Sequence, residues 1–418
     1  MSKLVPGSEC LNGVLEGGRA AGVPEMTDIV SGAAAACSGY RGARDASLRP
    51  AGRDHDNGDP RELFAAARIL QSRHKSRTVT FSKKAFINVI NLCRDICSYC
   101  TYKAEPGQAK SVMMSRQQID LSLQMARRYG CIEALLVTGE RPEERYEEAR
   151  RWLGENGFES TADCLAYASR KALELGLFPH TNAGNLARSE MAELQKTNVS
   201  MGVMLETSSG RLASEPGGAH YLAPSKRPEA RIAVLEDAGR LRIPMTTGIL
   251  LGIGETVREA VESLGIIRDI HRRYGHIQEV IIQNFWPKPD TAMRRAPPAD
   301  RAYFMAVVAA CRVMMPDMNI QIPPNLSPGT YGEFLSVGIN DWGGVSPLTP
   351  DYVNPEFPWP AIRRLKRDTE AAGYRLECRF PVYPEFAHMV PGRLRDMMSR
   401  VAQADGDGAM LVKRELWE

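Results

Sequence analysis

AFINVINLCRDICSYCTY, residues 85–102, decides how the rest of the chain is read. Residues 85–92 form a short apolar run rich in β-branched residues, the composition of a buried strand. The loop that leaves this run carries Cys93, Cys97 and Cys100 in a C-x-x-x-C-x-x-C spacing. The chain of 418 residues has nine cysteines, and the other six (Cys10, Cys37, Cys131, Cys164, Cys311 and Cys378) are scattered. The first residues, MSKLVPGSEC, lack the apolar stretch of a secretory signal. In a large chain without such a signal, a tight cysteine group points to metal or catalytic chemistry, not to a disulfide framework.

Three thiolates on one short loop can ligate three irons of a cubane cluster. No fourth ligand is evident nearby, so one iron stays open. An open iron can chelate the amino and carboxylate groups of S-adenosylmethionine (SAM), and an electron from the cluster then cleaves a C–S bond to give a 5′-deoxyadenosyl radical. A zinc knuckle or plain buried thiols are the competing readings, but structural zinc wants four ligands, usually from paired C-x-x-C units. The spacing, with Tyr99 immediately before the third cysteine, resembles the hallmark of the radical SAM superfamily.

Outward from this loop, apolar runs alternate with amphipathic stretches. Strands are expected at 133–139, 179–183, 199–206, 244–252 and 279–285, with shorter ones at 318–324 and 343–347. Helical spacing fills the intervals, and several of these stretches end in Gly or basic residues, as helix C-termini prefer. The alternation predicts an α/β fold, a complete or partial (β/α) barrel of TIM type, over residues 59–364. Residues 1–58, rich in Gly, Ala, Arg, Asp and Ser without a sustained period, read as a flexible, disordered leader. Residues 365–418 read as a helical closing segment.

A barrel enzyme keeps its chemistry at the C-terminal ends of the strands. Those ends supply Thr138-Gly139-Glu140, then His180 and Asn182, Glu206, the turn Gly248–Glu255 with Gly252 inside it, Gln283-Asn284, and Asp341-Trp342. T-G-E resembles the superfamily's G-G-E element at the SAM amino group: glycine permits close backbone approach and a carboxylate attracts an ammonium. An ordinary turn is the alternative there, and a surface carboxylate is the alternative for Glu206. GILLGIGE, 248–255, resembles the element that lies along the adenine; its spacing is not that of a dinucleotide-binding loop. Histidines titrate near neutral pH, so His180 and His220 are the candidates for proton transfer, although a lone His is more often structural.

Longer segments narrow the resemblance. VTGERPEERYEEARRWL, GLFPHTNAG, SMGVMLETSS, LEDAGRLRIPMTTGILLGIGET, IRDIHRRYGHIQEVIIQNFWPKPDTAM and DWGGVSPLTPDYVNPEFPWP resemble the CofG family over roughly residues 60–390. This is the first subunit of 7,8-didemethyl-8-hydroxy-5-deazariboflavin (FO) synthase. The resemblance implies a radical SAM lyase of coenzyme F-420 biosynthesis. A CofH-type partner subunit joins a tyrosine-derived 4-hydroxybenzyl group to 5-amino-6-ribitylaminouracil, and docks or releases the adduct by diffusion. The CofG-like subunit then abstracts a hydrogen, closes the rings and releases ammonia. It further implies a 4Fe-4S cluster on Cys93, Cys97 and Cys100, SAM beside Tyr99, Thr138, Gly139, Glu140, Glu206, Gly248, Gly252 and Glu255, and a reducing electron donor. Asn182, Gln283, Asn284, Asp341 and Trp342 are candidates to face the ribityl and uracil groups. FINVINLC and HTNAG depart from the family's usual F-I-P-L-T-N-L-C and H-x-N-P-G. A paralogue acting on another aromatic or ribityl substrate, or a non-catalytic iron–sulfur protein, are the competing functions.

The formal net charge of +3 gives no basic stripe for nucleic acid. No apolar run reaches the roughly 18 residues of a membrane span, and the expected location is the cytoplasm.

Overall fold

The computed structural model describes residues 6–16, 21–37, 60–404 and 410–418. Eight strands run in parallel: β1 (Thr78–Ile90), β2 (Glu133–Thr138), β3 (Phe178–Asn182), β4 (Ser200–Gly202), β5 (Met245–Leu251), β6 (Ile277–Asn284), β7 (Ile320–Gln321) and β8 (Asp341–Val345). Each is hydrogen-bonded to the next, and β1 pairs with both β2 and β8, so the sheet closes into a complete barrel. Closure buries both faces of every strand, and this is why β5, MTTGILL, is buried at every position. Helices between the strands cover the outside. The helix Val257–Tyr274 shows how the sequence sets its ends: Thr256 and Glu259 form a reciprocal capping box, and Gly275 at φ 68° stops it.

β1 is 13 residues long because it serves two partnerships. Its second half, from Lys84, pairs with β2, and its first half, Thr78–Phe81, pairs with β9 (Arg375–Cys378). The tail is therefore more than the helical closing segment expected from sequence. It adds a ninth parallel strand beside β1 and an antiparallel pair, β10 (Ala402–Ala404) and β11 (Met410–Val412). Strands of three or four residues are too short to show a period of two.

The segment read as a leader also departs in part from that reading. Pro6–Leu15 and Val23–Cys37 are helices. Met26, Ile29, Val30 and Ala33 are buried, at the i, i+3, i+4, i+7 spacing of one helical face. That face packs on the helices Pro60–His74, Val257–Tyr274 and Arg301–Met314. The Gly- and Ala-rich composition concealed this stripe. The rest of the leader, 1–5, 17–20 and 38–58, lies outside the described residues. No helix among the described residues is long and apolar enough to cross a membrane.

Candidate functional site

A single cavity of about 370 Å³ runs down the barrel axis from a mouth at the C-terminal strand ends. Cys93, Cys97 and Cys100 line the mouth, and Arg379 and Glu279 line the floor.

The cysteine loop is held from both sides by backbone bonds. Arg94 N–H donates to Glu140 O at 2.7 Å, Ile96 N–H to Leu222 O at 2.9 Å and Ser98 N–H to Ala219 O at 2.9 Å. Glu140 N–H donates to Cys93 Sγ at 3.2 Å. The T-G-E turn must sit this close, and Gly139 is the residue that allows it: a Cβ there would lie 1.9 Å from Leu92 O. Burial pushes the Cys93 thiol up to about 11, with Asp95 adding to the rise and the Glu140 N–H opposing it. Burial likewise raises Cys97 well above its ordinary value. Thiols in such a place ionise readily only when a cation binds them. Three soft donors on one loop, all lining one cavity, are the donor set of an iron–sulfur cluster. Among the described residues no group of three His, Cys, Asp or Glu side chains is arranged to hold a metal ion. The fit therefore rests on the chemistry of the thiols and not on a preformed ligand geometry.

Two carboxylates flank the cysteines. Both oxygens of Glu140 accept from Asn185 N–H, at 3.0 and 3.1 Å, and Arg231 Nη2 lies 3.4 Å away. Burial raises the Glu140 carboxyl even against Arg231. Gly184, in HTNAG, makes room for this side chain, since a Cβ there would meet Glu140 Oε2 at 1.8 Å. Glu206 is buried and pairs with Lys226. Burial works to raise its carboxyl, but the Lys226 ammonium prevails and holds it below the usual range. Glu206 also has φ 65°, a left-handed conformation that non-glycine residues seldom adopt.

The other residues singled out from sequence fall into four groups. Tyr99, Thr138, Gly139, His180, Asn182, Gln283 and Asn284 line the cavity. Thr138 Oγ1 and Asn284 Oδ1 are buried without a protein partner. Gly248, Gly252 and Glu255 shape β5 and its turn without lining the cavity; Thr246 and Leu250 are the lining residues of that strand. The Glu255 carboxylate accepts from Gly252 N–H at 2.8 Å, Ile253 N–H at 2.9 Å and Tyr303 O–H at 3.2 Å. His220 sits behind Tyr99, with its Nε2 2.9 Å from the phenol oxygen, and burial pushes it down to about 3.

Asp341 and Trp342 are corrected by the structure. They begin β8 and so lie at its N-terminal end, away from the mouth. Asp341 binds Arg379 beneath the barrel at 2.7 and 3.0 Å. Trp342 points outward, donating to Thr369 Oγ1 at 3.0 Å and packing edge-on against Tyr331. They precede the strand expected at 343–347 and begin the strand observed, so with either boundary they stand at its N-terminal end.

Sequence reasoning passed over Lys226 and Arg231 at the mouth, and Lys84, Glu133, Glu279 and Arg379 below. For Lys84, Glu133 and Glu279 a signal was available. They are charged residues in or against runs of buried-strand composition, where an unpaired charge would be costly. Lys226 and Arg231 lie in the loop and helix after β4 and carry no such mark.

A model of the radical SAM superfamily matches residues 87–266. A protein of Methanopyrus kandleri, 7,8-didemethyl-8-hydroxy-5-deazariboflavin synthase, is 44% identical over 331 residues, covering 78% of this chain and 99% of the relative. The FO synthase of Streptomyces avermitilis is 46% identical over 335 residues, 77% of this chain but 39% of that protein. The chain thus spans nearly all of one relative and well under half of the other. Among solved structures, the hydrogenase maturase HydG superposes with a TM-score of 0.68 at 15% identity, over 90% of this chain and 77% of that one. Methylornithine synthase does so with a TM-score of 0.63 at 16% identity, over 88% and 97%. At those identities the likeness speaks for the barrel alone.

Proposed function

Because the chain belongs to the 7,8-didemethyl-8-hydroxy-5-deazariboflavin synthase family of radical SAM enzymes, we propose that it closes the deazaflavin ring system of FO. Its substrate is the 5-amino-5-(4-hydroxybenzyl)-6-(D-ribitylimino)-5,6-dihydrouracil adduct. The reaction is hydrogen abstraction by a deoxyadenosyl radical, ring closure and loss of ammonia, which makes the enzyme a carbon–nitrogen lyase. The observation that carries this reading is the one cavity with three thiols at its mouth and a polar barrel interior below them.

Cys93, Cys97 and Cys100 would hold a 4Fe-4S cluster, and Glu140 and Glu206 would stand beside SAM. The cluster and SAM together supply a 5′-deoxyadenosyl radical when bound. The protein's part is to orient and to shield. Glu140, fixed through Asn185 and Arg231, offers a carboxylate to an ammonium group. Lys226 keeps Glu206 ionised. The segment after β8 crosses the mouth, with Asp351 accepting from Asn325 Nδ2 at 3.0 Å and Glu356 paired to Lys288. Such a cover keeps water from a reactive intermediate. A CofH-type subunit supplies the adduct, either docked or by diffusion, and a reducing protein supplies the electron.

The test is anaerobic reconstitution with iron and sulfide, then incubation of the reduced protein with SAM and the CofH product. Deoxyadenosine by chromatography and FO by fluorescence, appearing together, are expected. Deoxyadenosine without FO would move the substrate elsewhere, and neither product from cluster-loaded protein would overturn the enzyme reading.

A further inference from the structure

We propose that the lower half of the barrel cavity is a polyol subsite, in which Lys84, Glu133 and His180 Nε2 bind the hydroxyl groups of the substrate's side chain. The inference rests on the FO reading above and deepens it.

The hydrogen bonds around His180 fix its tautomer. Ser200 Oγ donates its single hydrogen to Pro381 O at 2.7 Å. At its 2.7 Å contact with His180 Nδ1 the same oxygen can then only accept, so Nδ1 carries the ring hydrogen. Nε2 is left as a lone-pair acceptor on the cavity wall. The approach to it is kept open by Gly202, where a Cβ would sit 2.9 Å from Nε2.

Lys84 and Glu133 face each other in register on β1 and β2, with Nζ 2.9 Å from Oε1. Glu133 also accepts from Ser82. Lys84 lies along the wall over Gly344, where a Cβ would meet its Cε at 2.1 Å. Of the three ammonium hydrogens, one serves Glu133, its one ionic partner among the described residues. The neighbouring floor group is different, because it satisfies itself. Arg379 binds Asp341 and Glu279, and Glu279 also accepts from Tyr383 and Thr246.

The unspent capacity is therefore mixed: ammonium donors, a carboxylate and a neutral imidazole acceptor. A chain of hydroxyls, each both donor and acceptor, matches such a set. A phenol offers one hydroxyl on an apolar ring, and the apolar wall begins two residues further along β1, where Phe86, its ring centroid 5.9 Å from Lys84 Nζ, stacks on Trp359 at 5.3 Å. The polyol end of the substrate accordingly points down and the ring end stays near the cysteines.

The experiment compares binding of FO with that of a deazaflavin carrying a plain pentyl chain in place of the ribityl group. It uses fluorescence anisotropy on cluster-loaded protein. Wild type is expected to prefer FO by about tenfold or more, the worth of one or two net hydrogen bonds. In Lys84→Met and in His180→Phe the preference should shrink to about twofold, and His180→Gln, which conserves an acceptor, should recover part of it. If His180→Phe does not fold, Lys84→Met and His180→Gln carry the test. An undiminished preference in the variants, or equal binding of both compounds by a wild-type chain that forms FO, would overturn the subsite alone. Failure of wild type to bind either compound would overturn the substrate reading together with it.

Discussion

Adding one methyl group at Gly139 should disable the cysteine loop. The added Cβ would lie 1.9 Å from Leu92 O, 2.6 Å from Leu92 C and 2.9 Å from Cys93 Cα, all of them backbone. No rotamer change relieves that. To reach an ordinary separation of about 3.4 Å the loop must retreat by about 1.5 Å. A retreat of that size breaks two contacts that seat it, Glu140 N–H to Cys93 Sγ at 3.2 Å and Arg94 N–H to Glu140 O at 2.7 Å. Overpacking costs about 1–3 kcal/mol and each lost bond about 1 kcal/mol, so Gly139→Ala should destabilise the fold by about 3–5 kcal/mol. It should also carry Cys93 away from Cys97 and Cys100, with which it would have to share the proposed cluster. The assays are iron and sulfide content after anaerobic reconstitution, deoxyadenosine formation and thermal unfolding. Gly154→Ala is the control, since nothing lies within 4 Å of a Cβ there. It sits inside the helix Glu147–Glu155 and should stabilise by about 0.5–1 kcal/mol. Full iron loading of Gly139→Ala with wild-type stability would refute the reasoning.

Three further outcomes are expected. Arg379→Met leaves the buried carboxylates of Asp341 and Glu279 without their cation. It should cost about 3–5 kcal/mol and, for a chain of this length, lower the melting temperature by about 3–6 °C; a loss under about 1 kcal/mol would contradict the floor network. Burial holds His180 and His220 down to about 3 and His276 down to about 4, below the roughly 6.5 of an unfolded chain. The unfolded chain therefore binds more protons, so stability is full above about pH 6.5 and is lost as pH falls toward 4, by up to about 1.4 kcal/mol per histidine per pH unit. Unfolding midpoints from pH 7.5 to 5 check this, and a flat profile would sink it. Lys226→Met removes the ammonium that keeps Glu206 ionised against its burial. The carboxyl then rises and protonates sooner on acidification, so the acid limb of deoxyadenosine formation should shift to higher pH; a profile superimposing on wild type would exclude this role.

How legible each part was depends on how far its physics extends along the chain. Cys93, Cys97 and Cys100 declare themselves by spacing alone, and the first strand and β5 by continuous apolar runs. Gly139 and Gly184 are close-approach positions whose neighbours become visible only in three dimensions. β9, with four residues, is a strand because a partner is waiting for it and carries no pattern of its own, whereas β7, with two, falls inside the strand expected at 318–324. Asp341 and Trp342 were assigned to the C-terminal end of a strand that they in fact begin. The depth of a residue in the barrel depends on where its strand begins, and alternate residues face opposite ways. Lys226 reaches Glu206 from 20 positions along the chain, a pairing that no local rule reports. The N-terminal helix Val23–Cys37 was legible through Met26, Ile29, Val30 and Ala33, but its composition outweighed its period.

The central claim is that one chamber brings the cluster-bearing mouth and the adduct together. Its most direct test is isotope transfer. The adduct, deuterated at all its carbon-bound positions, is turned over by the reconstituted enzyme with unlabelled SAM, and the deoxyadenosine is weighed by mass spectrometry as FO accumulates. Deuterium in deoxyadenosine, rising in step with FO, is the predicted result. Deoxyadenosine that stays unlabelled while FO forms would contradict it.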